Sequence, residues 1–174
     1  MPRPDPSEHA PYYSRYIDLV PDGDLVRTLA TQGEETRARL ASVPPERETY
    51  RYAPGKWSLR QVVGHLIDTE RLFAFRSLWF ARGAGSPLPG MEQDEWAEVS
   101  DAADRPLAEL LGEWAAVRRD TLALLGGYDE AAWARSGVAS DNPMSVRACG
   151  WIIAGHELWH RRGLERDYGV GAEG

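Results

Sequence analysis

The sequence predicts an all-α protein, a four-helix bundle with a long connection between its second and third helices. Three observations predict it. Four segments of roughly twenty residues carry apolar side chains every three to four positions. Proline and glycine clusters separate them, and no stretch alternates apolar with polar residues as a half-buried strand does. Four amphipathic helices bury their apolar stripes most simply against one another.

Residues 1–20, rich in proline and tyrosine, read as an irregular arm, and residues 21–170 as one domain. The first helix is predicted over 22–42, with Leu25, Leu29, Thr36 and Leu40 on one face and Gly33 weakening it. The prolines and glycine of 44–57 end it. The second helix starts at Ser58, where Gln61 three residues on completes a capping-box pattern, and runs to about Arg82. Residues 83–105 form the long connection, with a helical turn expected in MEQDEWAEV. Its length leaves open whether the helices on either side run parallel. The third helix is predicted over 106–125, with Pro106 in its first turn and Gly126-Gly127 at its end. Its stripe is Leu107, Leu110, Leu111, Trp114, Val117, Thr121, Leu124 and Leu125. The last helix spans 145–168 and leaves through Gly169.

A net charge of −7 opposes nonspecific nucleic-acid binding, which needs a basic surface to displace counterions. No apolar run is long enough to cross a bilayer. Cys149 is the only cysteine, which fits a cytoplasmic location, as does an N-terminal stretch without the apolar centre of a signal peptide.

Three of the four histidines fall on inward stripes. In the last helix Val146, Cys149, Ile153, His156, His160 and Leu164 step by three or four residues, which puts two imidazoles one turn apart on a buried face. In the second helix Val62, His65, Thr69, Leu72, Arg76 and Phe80 form a similar stripe. Buried imidazoles need partners, and one divalent cation serves several at once. His9, in the arm, reads as solvated.

His156-Glu157-Leu158-Trp159-His160 also fits the H-E-x-x-H signature of zinc proteases, and Gly163 extends it. Arg166 stands where that longer motif needs its third ligand, and a permanent cation cannot ligate metal. A peptidase is therefore not expected, and the match reduces to i, i+4 ligand spacing.

YAPGKWSLRQVVGHLIDTERLFAFR (52–76) together with SVRACGWIIAGHELWHRRGLERDYG (145–169) resembles the DinB/YfiT-like superfamily of metal-dependent enzymes. Trp57, Ser58, His65 and Asp68 match its helix-two motif, and His156 and His160 its C-terminal H-x-x-x-H. The resemblance implies a four-helix bundle, a divalent metal on His65, His156 and His160, and a homodimer. It also implies a reaction with a low-molecular-weight thiol such as bacillithiol or mycothiol, and leaves the small-molecule substrate open.

Zinc and nickel both suit imidazole ligands. Asp68 and Glu157 are candidates to orient a ligand imidazole, Glu157 also to act as a general base; either is otherwise a surface carboxylate. Arg76, on the inward stripe, should find a carboxylate, internal or on a ligand. Trp57 and Trp159 are candidate pocket walls. Arg118-Arg119 and Arg161-Arg162 read as surface charges and Cys149 as a core residue; the adjacent Trp79 and Phe80 are not expected to turn inward together, which supports association through a helical face. Thiol transfer, metal-dependent hydrolysis, a non-catalytic metal-binding stress-response protein and a metal-free bundle all remain open on this reading.

Overall fold

A computed structural model describes residues 1–171 and is mostly helical. The four long helices are α2 (Leu25–Ala41), α3 (Leu59–Ala81), α5 (Leu107–Gly126) and α7 (Val146–Tyr168), and three short ones are α1 (Ser14–Ile17), α4 (Gln93–Val99) and α6 (Glu130–Ala134). Each long helix lies within a residue or three of its expected limits, because local chemistry fixes the ends. Ser58 and Gln61 form the capping box that starts α3. Ser145 accepts from the Ala148 N–H to start α7, and Gly169, at φ 68°, turns the chain out of it. Pro106 is the residue before α5, not its first turn.

Cross-helix contacts settle the directions. Along α3 and α5 the partners advance together: Arg71 meets Glu113, Glu70 meets Trp114 and Arg118, and Ser77 meets Tyr128 just beyond α5. These two helices are parallel, and the 83–105 connection carries the chain back along the bundle. Against α7 the partners of α3 run in reverse, from Trp57 with Tyr168 to His65 with His156. The helix α2 is parallel to α7, with Gln32 on Ala154 and Arg39 on Glu165.

Two expectations are corrected. The arm is not irregular: turns of 3₁₀ helix at Pro6–Glu8 and Pro11–Tyr13 lead into α1, and Tyr16, Ile17 and Val20 enter the core. Backbone atoms of Tyr16 lie so close to α7 that a Cβ on Gly155 would sit 2.0 Å from its carbonyl oxygen, so only glycine admits the arm there. His9 is buried, its Nδ1 2.9 Å from the Ala10 carbonyl. Secondly, strands are present: β1 (Ser136–Ala139) and β2 (Asn142–Ser145) form an antiparallel hairpin. Its turn residues Ser140 and Asp141 have φ of 52° and 60°, the left-handed pair of a tight hairpin. Leu88, in the long connection, bridges to β1. Phe80, on the inward stripe, is in the core beneath this hairpin, with its neighbour Trp79 partly buried against the same core; Phe75, 48% exposed, is the aromatic on the outer side of α3.

Candidate metal centre

The stripes of α3 and α7 meet face to face where His65, His156 and His160 lie. His65 Nε2 and His160 Nε2 are each 3.1 Å from His156 Nε2. A ligating nitrogen of each lies within 4.8 Å of the others. Zinc–imidazole bonds of about 2.0–2.1 Å in tetrahedral geometry put neighbouring nitrogens roughly 3.3 Å apart, close to the two 3.1 Å separations at His156.

The rings are also in the required charge state. Burial lowers His65 to about 4, opposed only by Asp94, and lowers His160 to about 3 with His65 adding to the effect. His156 lies well below the ordinary value, first through burial and then through its two neighbours. All three are neutral near pH 7 and offer lone pairs to a cation. An unfolded histidine titrates near 6.5, so below that pH the unfolded chain holds more protons than the folded one. Stability should fall as pH drops below 6.5 and go on falling through the depressed values, about 4 and about 3. Thermal midpoints of chelator-treated protein between pH 7.5 and 4.5 test this; a flat profile, or one unchanged in His160→Gln, contradicts it.

The surroundings differ from the expected ones. Neither Asp68 nor Glu157 is hydrogen-bonded to any of the three imidazoles. The polar group at His65 Nδ1 is the Thr69 hydroxyl, 3.5 Å away, at the outer limit of a hydrogen bond. Asp68 faces a separate cleft beside Arg71, its pKa raised by burial. Glu157 is 1% exposed and turned toward α2 and α5: Gln32 Nε2 donates to its Oε2 at 2.7 Å and Arg118 Nη2 at 2.9 Å. It is neither a surface carboxylate nor placed to act as a base.

Arg118 is buried too, against expectation. Its Nε and Nη2 donate to Glu70 at 2.7 and 2.8 Å, and Trp114 Nε1 donates to the same carboxylate. Burial opposes the guanidinium charge, but the hydrogen bonds to Glu70 and the charge of Glu157 outweigh it. Gly33 makes the room: a Cβ there would be 2.7 Å from Arg118 Nη1. Glu70 escaped the sequence reading, although Arg118 was findable, since it continues the spacing of Trp114, Thr121 and Leu125. Arg119 and Arg162 are exposed as expected.

Aromatic rings hold the histidines. Trp57 tilts over His65 with centroids 4.8 Å apart, and Tyr16 stands edge-on to His156 at 5.3 Å and to Trp159 at 5.7 Å. Tyr16 was not foreseen, because the arm carries no periodicity to place it. Cavities open on both sides of the cluster. One, about 510 Å³, is lined by His65 and His156 with Tyr12, Tyr16, Phe73 and Arg76. The other, about 700 Å³, is lined by His160, Trp57 and Trp159 with Arg51, Lys56 and Tyr168. Gln93 and Asp94 of α4 line both and roof the junction. Cys149 is fully buried and its thiol is pushed up to about 12, so it stays a core residue.

Among the described residues no helix is long and apolar enough to cross a membrane. The model of the DinB superfamily matches residues 28–163. A protein of Geobacillus thermodenitrificans (strain NG80-2), named as a candidate metal-dependent hydrolase, is 31% identical over 71 residues, 41% of this chain and 40% of that one. A protein of Geobacillus kaustophilus (strain HTA426) with the same description is 25% identical over 130 residues, 72% of this chain and 70% of that one. The fold is similar to that of YfiT from Bacillus subtilis, described as having an unusual four-helix-bundle topology (TM-score 0.74, 16% identity, 98% of this chain and 95% of that one). It is also similar to a mycothiol-dependent maleylpyruvate isomerase (TM-score 0.71, 12% identity, 90% of this chain and 64% of that one). The match to the superfamily spans the first three long helices and reaches through both histidines of α7, and the chain belongs to the DinB superfamily.

Proposed function

We propose that this chain is a metal-dependent enzyme that joins a low-molecular-weight thiol to small electrophiles, with His65, His156 and His160 holding one divalent cation, zinc or nickel. The observation that carries the reading is the convergence of three neutral imidazoles where two cavities meet. A cation held there supplies Lewis acidity at an open position, enough to bring a thiol's pKa toward neutrality.

The protein's own residues support a thiol from outside the chain. Its only thiol, Cys149, is sealed in the core. Arg51 and Lys56 flank the cavity beside His160 and form no ion pair among the described residues, which suits a thiol that carries carboxylates, as bacillithiol does. The indoles of Trp57 and Trp159 give that cavity apolar walls. The electrophile would enter from the other cavity, between Tyr16 and Phe73. In the reaction an S–C bond forms, the bond from carbon to its leaving group breaks with its electron pair, and the thiol proton passes to solvent. The mycothiol dependence of the structurally similar isomerase adds support by analogy.

A hydrolase is the second reading, favoured by Asp94: it lines both cavities, and its charge opposes the burial that lowers the pKa of His65, so this reading assigns it the water. The two Geobacillus relatives carry that description. The test compares turnover of an aryl chloride and of aryl esters by metal-loaded protein, with and without a panel of small thiols. Turnover that requires both metal and thiol and is lost in His160→Ala supports thiol transfer. Thiol-independent ester hydrolysis that drops at least 100-fold in Asp94→Asn replaces it with hydrolysis.

A further inference from the structure

We infer that Arg76 anchors a carboxylate of the substrate, so that the electrophile is a small apolar acid held by its anionic end. The inference rests on the reading of the histidine cluster as the reactive centre. Arg76 is 1% exposed, among the most buried side chains in the molecule, and it lines the cavity that contains His65 and His156. A guanidinium taken out of water needs a counter-charge, and its planar fork suits a carboxylate. The structure supplies no counter-charge: no carboxylate among the described residues lies within 4.0 Å of Arg76. Arg118, the other deeply buried arginine, is by contrast paired with two.

The polar contacts of Arg76 show what is left free. Nη2 donates to the Pro89 carbonyl at 2.8 Å and to the Ser140 hydroxyl at 3.2 Å, both neutral acceptors. Nε is buried with no partner. Phe73 lies under the guanidinium, 5.0 Å from its ring centre, and fixes its plane. The hairpin turn therefore has a use. Ser140 is held in the left-handed region, and the Leu88 bridge ties it to the connection that carries Pro89, so two loops clamp one edge of the guanidinium.

Substrate length and character follow. Arg76 lies eleven residues after His65 on α3, which is three turns, nearly the same face, and roughly 16 Å of rise. Long helical side chains lean toward the N-terminus, so the guanidinium reaches back toward the histidines. A ligand spanning the two would place its reacting atom on the order of 10 Å from its carboxylate. Between the ends it would pass Tyr12, Tyr13, Tyr16 and Phe73, a wall for an aromatic or aliphatic body. Glu92, Asp94 and Glu95 also line this cavity, but all three are exposed on the roof, where water and salt screen them. Arg76 is inside, where the same charge pairing is stronger.

Titration calorimetry with 3-phenylpropionate and its neutral amide tests the inference on full-length zinc-loaded protein. The acid should bind at least ten-fold more tightly than the amide. Arg76→Met should abolish that preference, Arg76→Lys should keep part of it, and both should retain the parent's zinc content. His160→Ala should keep the preference, which separates an arginine anchor from an acid bound to the cation. Equal binding of acid and amide by the parent protein overturns the inference without needing any variant to fold. A preference that survives Arg76→Met, or that disappears in His160→Ala, overturns it as well. None of these readings uses a thiol or measures turnover, so failure here leaves the thiol reaction standing, and the reverse also holds.

Discussion

Arg118→Met should destabilise the protein by about 3–5 kcal/mol, a large share of the total stability of a domain this size. The substitution keeps most of the volume but leaves Glu70 and Glu157 buried without their cation. Gln32 and Trp114 would remain as donors, one to each carboxylate, which is too little for two desolvated charges. The cavity left beside Gly33 adds to the loss. Urea unfolding of Arg118→Met against the exposed control Arg119→Met measures the effect, with the control expected within about 0.5 kcal/mol of the parent. Adding Glu70→Gln should recover part of the loss, since it removes one of the two orphaned charges. A loss under 1 kcal/mol in Arg118→Met would mean that the network is not the charged triad described.

The second large effect is on metal affinity. Each of His65→Ala, His156→Ala and His160→Ala should weaken binding of a divalent cation by more than the 10- to 100-fold typical of losing an outer-shell partner. All three variants should show the loss, because a ring nitrogen of each histidine lies within 4.8 Å of the other two. Asp68→Asn should leave affinity within a few-fold of the parent, since its carboxylate faces another cleft. Competition titration with a chromophoric chelator reads all four. Parent-like affinity in any one histidine variant would remove that residue from the ligand set.

How far these features could be read in advance depended on periodicity. The long helices and the three histidines were legible because stripes at three- and four-residue spacing and caps such as Ser58 with Gln61 are local. Arg118 continued its stripe as plainly as His65 did, yet two adjacent arginines read as surface charge. Burial there depends on Glu70 and Glu157 from other helices and on the absent side chain of Gly33, and no one segment shows all of these. Glu157 follows the same logic: next to a ligand in sequence, it points around the helix into a different layer. The hairpin was missed because Ser140-Asp141 is not the Asn-Gly or Asp-Gly pair that usually announces such a turn. The arm was missed because its contacts, Tyr16 on His156 and on Gly155, are tertiary. Arg76 was legible as a stripe residue, but only the structure shows that its partners are neutral.

With His65, His156 and His160 as the full ligand set, one cation is held by three imidazoles and nothing else from the protein. X-ray absorption at the zinc edge of protein loaded with one equivalent counts those ligands. The expected spectrum has three imidazole ligands at about 2.0–2.1 Å, no sulfur, and one or more light-atom ligands from solvent, with one imidazole fewer in His160→Ala. A spectrum fitted by two imidazoles or fewer, or one that includes a sulfur near 2.3 Å or is unchanged in His160→Ala, would contradict it.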